Sequence, residues 1–408
     1  MSDELLLRIV TDPDVIADPY PLLRELRETS PVHRTGFSDF WILTRFEDCR
    51  AALRDQRLGS PEPGEEAPSL LAATRQRRPD GTRSLLFLNP PDHTRIRSLV
   101  SRAFTPRRVE HMRPAILAMT EDLLDAVAEE GECDLIDALA FPLPANVISE
   151  LVGVPVSDRD WLRPLVSDLA ATLEPTRQPG EAERADAASA QVNEYLNDLI
   201  DRRRAEPADD LLSGLIAASD GEDRLTQAEV AVTVSLIYAA GFETTMNLIG
   251  NMVHTLMRHP DQLARLRADR SLVPSAVDEV LRFEPPVQID GRYVRTDTEI
   301  GGHAIPQGHG VLTLLGAANR DPAAVDDPDR FDVGRSEVPM LSFGSGIHYC
   351  LGAALARLEG QVVLQALLDR FGTWTPLDDN PPWKRRLTLR GLASLPVRFS
   401  EGLAADPQ

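Results

Sequence analysis

Phe343-Gly344-Ser345-Gly346-Ile347-His348-Tyr349-Cys350-Leu351-Gly352 sets three glycines around one cysteine, and a strong helical pattern follows at once from Ala353 to about Arg370. The glycines permit a tight loop that holds Cys350 at a helix N-terminus. Backbone amides and the helix dipole there favour a thiolate over a thiol. A cysteine taken alone reads as a small buried hydrophobe, and the loop lifts this one above that reading. Zinc is disfavoured, because no second cysteine or nearby histidine pair supplies the remaining ligands.

A single thiolate without companions suits a metal whose other positions are already filled, as by a porphyrin. Heme iron bound by thiolate is the known solution, and sulfur donation favours oxygen–oxygen cleavage. A heme also carries two propionates that need cations. The candidates are His93 and Arg97, one helical turn apart after Pro90-Pro91, together with Arg292 and His348.

The second informative stretch runs from 226 to 258. Thr226 followed by Glu229 predicts a capping box and Pro260 closes the other end, so the helix crosses a whole domain. Val230 to Gly241 is apolar nearly all round, as in a helix buried in a core. Ala240-Gly241-Phe242-Glu243-Thr244-Thr245 interrupts that run, with Leu236, Ala240, Glu243, Thr244 and Asn247 close to one face. A buried carboxylate is expensive unless paired, hydrated or neutral. Either Gly241 marks a kink beside a hydrogen-bonded polar pair, or the stretch is a proton-delivery site facing a ligand cavity where something approaches the backbone.

Length and composition bound the rest. The chain has 408 residues, 42% hydrophobic and 26% charged, which is ordinary for a folded protein, and room for one large unit or two or three average ones. A net charge of -21 disfavours nucleic-acid binding. Arg95, Arg97, Arg102, Arg107 and Arg108, flanked by His93 and Arg113, form a local basic concentration, which reads as a solvated helix face. Cys49, Cys133 and Cys350 are too few and scattered for a disulfide framework, and no uninterrupted apolar stretch reaches a membrane span. A cytoplasmic protein without a signal peptide is expected.

Helical spacing recurs at 106–130, 145–152, 183–204, 273–283 and 352–371. Strand signals are confined to about 31–45 and 287–314, where Gly301-Gly302 and Pro306-Gln307-Gly308 suggest hairpin turns. The expectation is a mainly α fold with a small β region. The segment 59–80 reads as a long loop and candidate substrate gate, and 174–183 has the same polar character. Glu279 and Arg282 place opposite charges three residues apart on one helix, a pair of little weight by itself.

These features together resemble the cytochrome P450 family, of the soluble bacterial type, from about Asp18 to Ser400. The loop Phe343 to Gly352 looks like that family's heme-binding signature, and Ala240 to Thr245 like its oxygen-activation motif. Glu279 and Arg282 match its Glu-x-x-Arg pair, with Arg330 as the arginine completing a buried salt-bridge triad. The resemblance implies one large helical domain over 1–408 that binds heme b. Cys350 would be the iron ligand, with Phe343, Gly344, Ala240 and Gly241 against the cofactor and His93, Arg97, Arg292 and His348 on its propionates. It implies a monooxygenase, placing one atom of dioxygen in an organic substrate with electrons from NAD(P)H through a ferredoxin and its reductase. Glu243 and Thr244 would deliver the protons, and Ala239, Val287, Ile289 and the 60–88 loop would line the substrate pocket. By the same analogy, the substrate is a polyketide, macrolide or peptide natural product, the protein a monomer, and the basic concentration the dock for an acidic ferredoxin. Oxidative coupling and a non-catalytic heme sensor are the alternatives.

Overall fold

The computed structural model describes residues 2–36, 38–73, 81–175, 179–217 and 225–402. Residues 74–80 and 176–178, within the two predicted polar loops, lie outside them.

The capping box forms as expected. Thr226 Oγ1 accepts from the Glu229 amide at 3.1 Å, and the Thr226 amide donates to Glu229 Oε2 at 2.7 Å. The central helix then runs Gln227–Arg258, 32 residues or about 48 Å at 1.5 Å per residue. It is long and apolar enough to cross a membrane, and 72% of its most apolar window is buried inside the fold. Helices Pro142–Val152, Val156–Ala170, Glu181–Ala205, Val273–Phe283 and Ala353–Arg370 pack around it, and their buried faces join one apolar cluster.

Several boundaries differ from the sequence reading for identifiable reasons. The predicted helix 106–130 divides into Pro106–His111 and Arg113–Glu130, because Pro114 has no N–H to continue the ladder. Val156–Ala170 went unrecognised; it carries Pro164 inside and buries only Leu162, Val166, Leu169 and Ala170. The loop 59–80 contains a short helix, Ser69–Ala73.

Among the described residues the strands form three sheets. The largest takes β1 (Val32–Arg34), β2 (Phe40–Leu43), β3 (Leu58–Gly59), β5 (Ile289–Val294) and β8 (Gly310–Leu314) in the order β1-β2-β8-β5-β3. Its β2–β8 pairing is parallel and the others antiparallel. A second sheet joins β4 (Glu132–Asp134), β10 (Pro396–Glu401) and β9 (Phe371–Pro376), and the third is the hairpin of β6 (Thr298–Ile300) and β7 (His303–Ile305). Gly301-Gly302 makes that hairpin's turn. Pro306-Gln307-Gly308 instead leads from β7 to β8, which do not pair.

Candidate active site

A cavity of about 410 Å³ lies between the central helix and the helix that follows Cys350. Leu236, Ala240, Gly241, Thr244 and Leu248 form one wall, at helical spacing, and Cys350, Gly352, Leu355 and Ala356 another. β5 and the residues before it supply Val287, Ile289 and Arg292.

The cysteine loop is closed by backbone bonds, Cys350 N–H to the Phe343 carbonyl at 2.9 Å and Gly344 N–H to that of Leu341 at 2.7 Å. Gly344 and Gly346 stand at φ 68° and 71°, where a side chain is costly. At Gly346 a Cβ would also run into the Leu53 carbonyl. Behind the loop the Arg357 guanidinium lies 4.5 Å from the Phe343 ring centre and is tied to Asp278 at 2.6 Å. Burial pushes the Cys350 thiol above its ordinary pKa, opposed by the Gly352 and Ala353 amides and by the Arg97 and Arg357 charges. A bound metal reverses that balance, since a coordinating thiol is deprotonated outright.

One edge of the cavity gathers two guanidiniums and two imidazoles. The rings of His93 and His348 are 4.3 Å apart, and both His93 nitrogens are buried without a hydrogen-bond partner among the described residues. Arg97 donates to the Tyr349 carbonyl at 2.5 Å, and Arg292 to the Asp290 carboxylate and the Gly291 carbonyl. Burial lowers the His348 pKa to about 3, with the charges of Arg292, His93 and Arg97 adding to the effect. Burial and then the charges of Arg97 and Arg292 lower that of His93. Orphaned imidazole nitrogens beside two guanidiniums are what two carboxylates would satisfy. With a cysteine sulfur on one wall and the small residues Ala240 and Gly241 on the facing helix, the donor set fits an iron porphyrin.

Thr244 is on the cavity wall, its Oγ1 donating to the Ala240 carbonyl at 2.6 Å. Glu243 is not. It turns to the helix flank, where Lys384 Nζ stands 3.2 Å from its Oε1 and 3.3 Å from Asn247 Oδ1. Ala239, expected on the pocket wall, is instead buried in the main apolar core, and Leu236 and Ala240 take the exposed face. Gly241 does touch the cavity, but the close approach it permits is that of Ile148, whose Cδ1 would stand 2.8 Å from a Cβ there.

The buried ion-pair assignment needs one correction. Glu279 and Arg282 are fully buried and joined by two bonds of 2.8 Å. The third member is Arg335, whose Nε stands 3.3 Å from Glu279 Oε2. Arg330 points outward to Asp332 at 3.8 Å and contributes only its carbonyl, which accepts from Arg282 and Arg335. A carbonyl is available at every residue, so nothing in the sequence distinguishes the two arginines.

Three polar residues at the site escaped the sequence reading. Glu174 accepts from the amides of Leu387, Thr388 and Leu389, which line the cavity, and burial raises its pKa to about 7. Glu359 lines the cavity from the helix after Cys350, and its Oε2 is buried with no partner among the described residues. The third, Lys384, carried a visible signal: it is the single lysine among 43 lysines and arginines.

Comparison with known proteins agrees with this geometry. The family model described as Cytochrome P450 matches residues 178–400. The 6-deoxyerythronolide B hydroxylase of Saccharopolyspora erythraea is 43% identical over 407 residues, covering 96% of this chain and 100% of that protein. The cytochrome P450 monooxygenase PikC of Streptomyces venezuelae is 39% identical, covering 96% of this chain and 94% of its own. Among solved structures, P450BioI in complex with a hexadec-9Z-enoic acid ligated acyl carrier protein superposes with a TM-score of 0.86 at 37% identity, covering 95% and 99% of the two chains.

Proposed function

Since the chain belongs to the cytochrome P450 family and is a monooxygenase, we propose that it hydroxylates or epoxidises a polyketide, macrolide or peptide natural product, with NAD(P)H electrons relayed by a ferredoxin and its reductase. The observation that carries the reading is one cavity holding Cys350 on one wall, Thr244 on another and the Arg97 and Arg292 guanidiniums with His348 at its edge. The substrate class rests on relatives named for 6-deoxyerythronolide B and for polyketide biosynthesis. The chain works as a single domain with its core over about 18–400, as a cytoplasmic monomer.

Heme b, when bound, supplies the dioxygen chemistry. Cys350 would hold the iron from the loop closed by its own bond to the Phe343 carbonyl and turned by Gly344 and Gly346. His93, Arg97, Arg292 and His348 would hold the two propionates, which would pair with the guanidiniums and accept from the His93 and His348 rings, that of His93 having no other partner among the described residues. Val287, Ile289, Leu236 and the Leu387–Leu389 segment shape an apolar chamber that excludes water. Thr244 offers a hydroxyl that takes one proton as it gives another, and Glu243 restores that proton from the solvent side.

The reduced carbon monoxide complex of the holoprotein is expected to show a thiolate-type Soret band that Cys350→Ala abolishes. A band unchanged in the variant sinks the assignment. Titration with 6-deoxyerythronolide B, followed by the heme spectrum, tests the substrate class. A response no larger than that to a fatty acid would remove the macrolide reading.

A further inference from the structure

Glu174, the first residue of the predicted polar loop 174–183, is 1% exposed, and its carboxylate is turned onto a backbone far away in the chain. Oε2 accepts from the Leu387 and Thr388 amides at 3.2 and 3.1 Å, and Oε1 from the Leu389 amide at 2.7 Å. Successive N–H groups of an extended strand point to opposite sides. Three in a row that converge on one group make a nest, a concavity that binds an anion. A carboxylate, with two oxygens and about four acceptor positions, can take all three bonds, whereas a single hydroxyl or amide oxygen cannot. The Arg386 guanidinium beside the nest favours the anion, and Glu243 on the central helix opposes it.

Both ends of this tie are cavity wall. Leu173 and Pro175, on either side of Glu174, line the cavity, and so do Leu387, Thr388 and Leu389. Glu174 follows the turn Ala171–Leu173 at the end of helix Val156–Ala170, its N–H donating to the Ala171 carbonyl at 3.2 Å. On its other side the 387–389 segment is joined to the residues before β5. Gln288 N–H donates to the Thr388 carbonyl at 2.8 Å, and Leu389 bridges to Val287, itself on the wall. The carboxylate therefore completes one continuous surface from three separate stretches of chain. Without it, three buried amides would lose their partner, and the segment would have to shift to find others.

We propose that Glu174 is a positioning residue that sets the size limit of the substrate chamber, by fixing Leu387–Leu389 against Leu173 and Pro175 as a closed wall. An apolar ligand gains affinity with each group it buries until it meets that wall, and loses affinity beyond it, because a packed wall resists overfilling. Such a chamber selects a compact macrolactone over a long unbranched chain. This inference rests on the reading of the cavity as the chamber for heme and substrate.

The test uses holoprotein and a series of N-alkylimidazoles, from methyl to dodecyl, whose ring nitrogen binds the iron and reports by a Soret shift. In wild type, affinity should rise with chain length up to a limit and fall past it. In Glu174→Ala the limit should move to longer chains, the first alkylimidazole beyond the wild-type limit binding roughly tenfold more tightly, as for about two further buried methylenes. Methylimidazole should bind both proteins alike. Glu174→Gln, which keeps an acceptor oxygen at the same reach, should move the limit less. Amide hydrogen exchange in the peptide carrying Leu387–Leu389 should quicken in the same order. A tie that serves stability alone would lower the Tm and leave the limit in place. If wild type gives no Soret shift with methylimidazole, the reading of the cavity itself fails. If wild type binds but shows no limit, or the limit and the exchange rates stay put in Glu174→Ala, the role of Glu174 is overturned. Should Glu174→Ala not retain heme, Glu174→Gln decides by the same criterion.

Discussion

At the scale of the residue, the site depends on side chains whose environment contradicts their ordinary chemistry. Glu359 is the sharpest case. It is buried beside the cavity with no cation near it among the described residues, and burial alone raises its pKa from the ordinary 4.5 to about 8. The unfolded chain ionises it above about 4.5 and the folded chain only above about 8. Between those values the unfolded state binds fewer protons, so stability falls as pH rises through the window and is level outside it. The loss is on the order of 3–5 kcal/mol. Glu359→Gln, which keeps the neutral shape, should therefore raise the Tm at pH 9 and leave it nearly unchanged at pH 4. Equal shifts at both pH values would refute the assignment. The loop around Cys350 was legible at this scale, because positive φ and close backbone approach demand glycine locally. The pairing of Glu243 with Lys384 was not, since the two are 141 positions apart.

Elements show the same division. The central helix was readable from Thr226, Glu229 and Pro260, since capping depends on neighbours within four residues. The ion-pair helix Val273–Phe283 was readable as a helix, but not in its partners. Breaking one member of a buried charge network costs about 3–5 kcal/mol, because the others are left uncompensated. Arg335→Met should accordingly lower thermal stability and heme retention strongly. Arg330→Met, whose side chain is 60% exposed, should change neither measurably. Matching losses for the two variants would restore Arg330 to the network.

For the whole molecule the governing quantity is a net charge of -21 carrying one basic concentration. The fold consumes part of that concentration: Arg95 is held by Glu229, Arg108 by Asp209 and Arg113 by Glu110. Arg102 and Arg107 remain exposed, near the end of the helix whose Arg97 reaches the Tyr349 carbonyl in the cysteine loop. An acidic ferredoxin would be steered there against a repulsive body. Stopped-flow reduction of Arg102→Glu and Arg107→Glu should be several-fold slower than wild type at low salt, with the gap closing as ionic strength rises. A salt-independent gap, or none, removes the dock. By itself the sequence determined the cysteine loop, the capped central helix and the helical class, each of which rests on chemistry between residues a few positions apart. Only the tertiary structure decided that Arg335 and not Arg330 reaches Glu279, that Ile148 fills the space Gly241 leaves, and that Lys384 holds Glu243. A side chain's partner is set by which distant segments packing brings within a few ångströms, and local spacing carries no record of that choice.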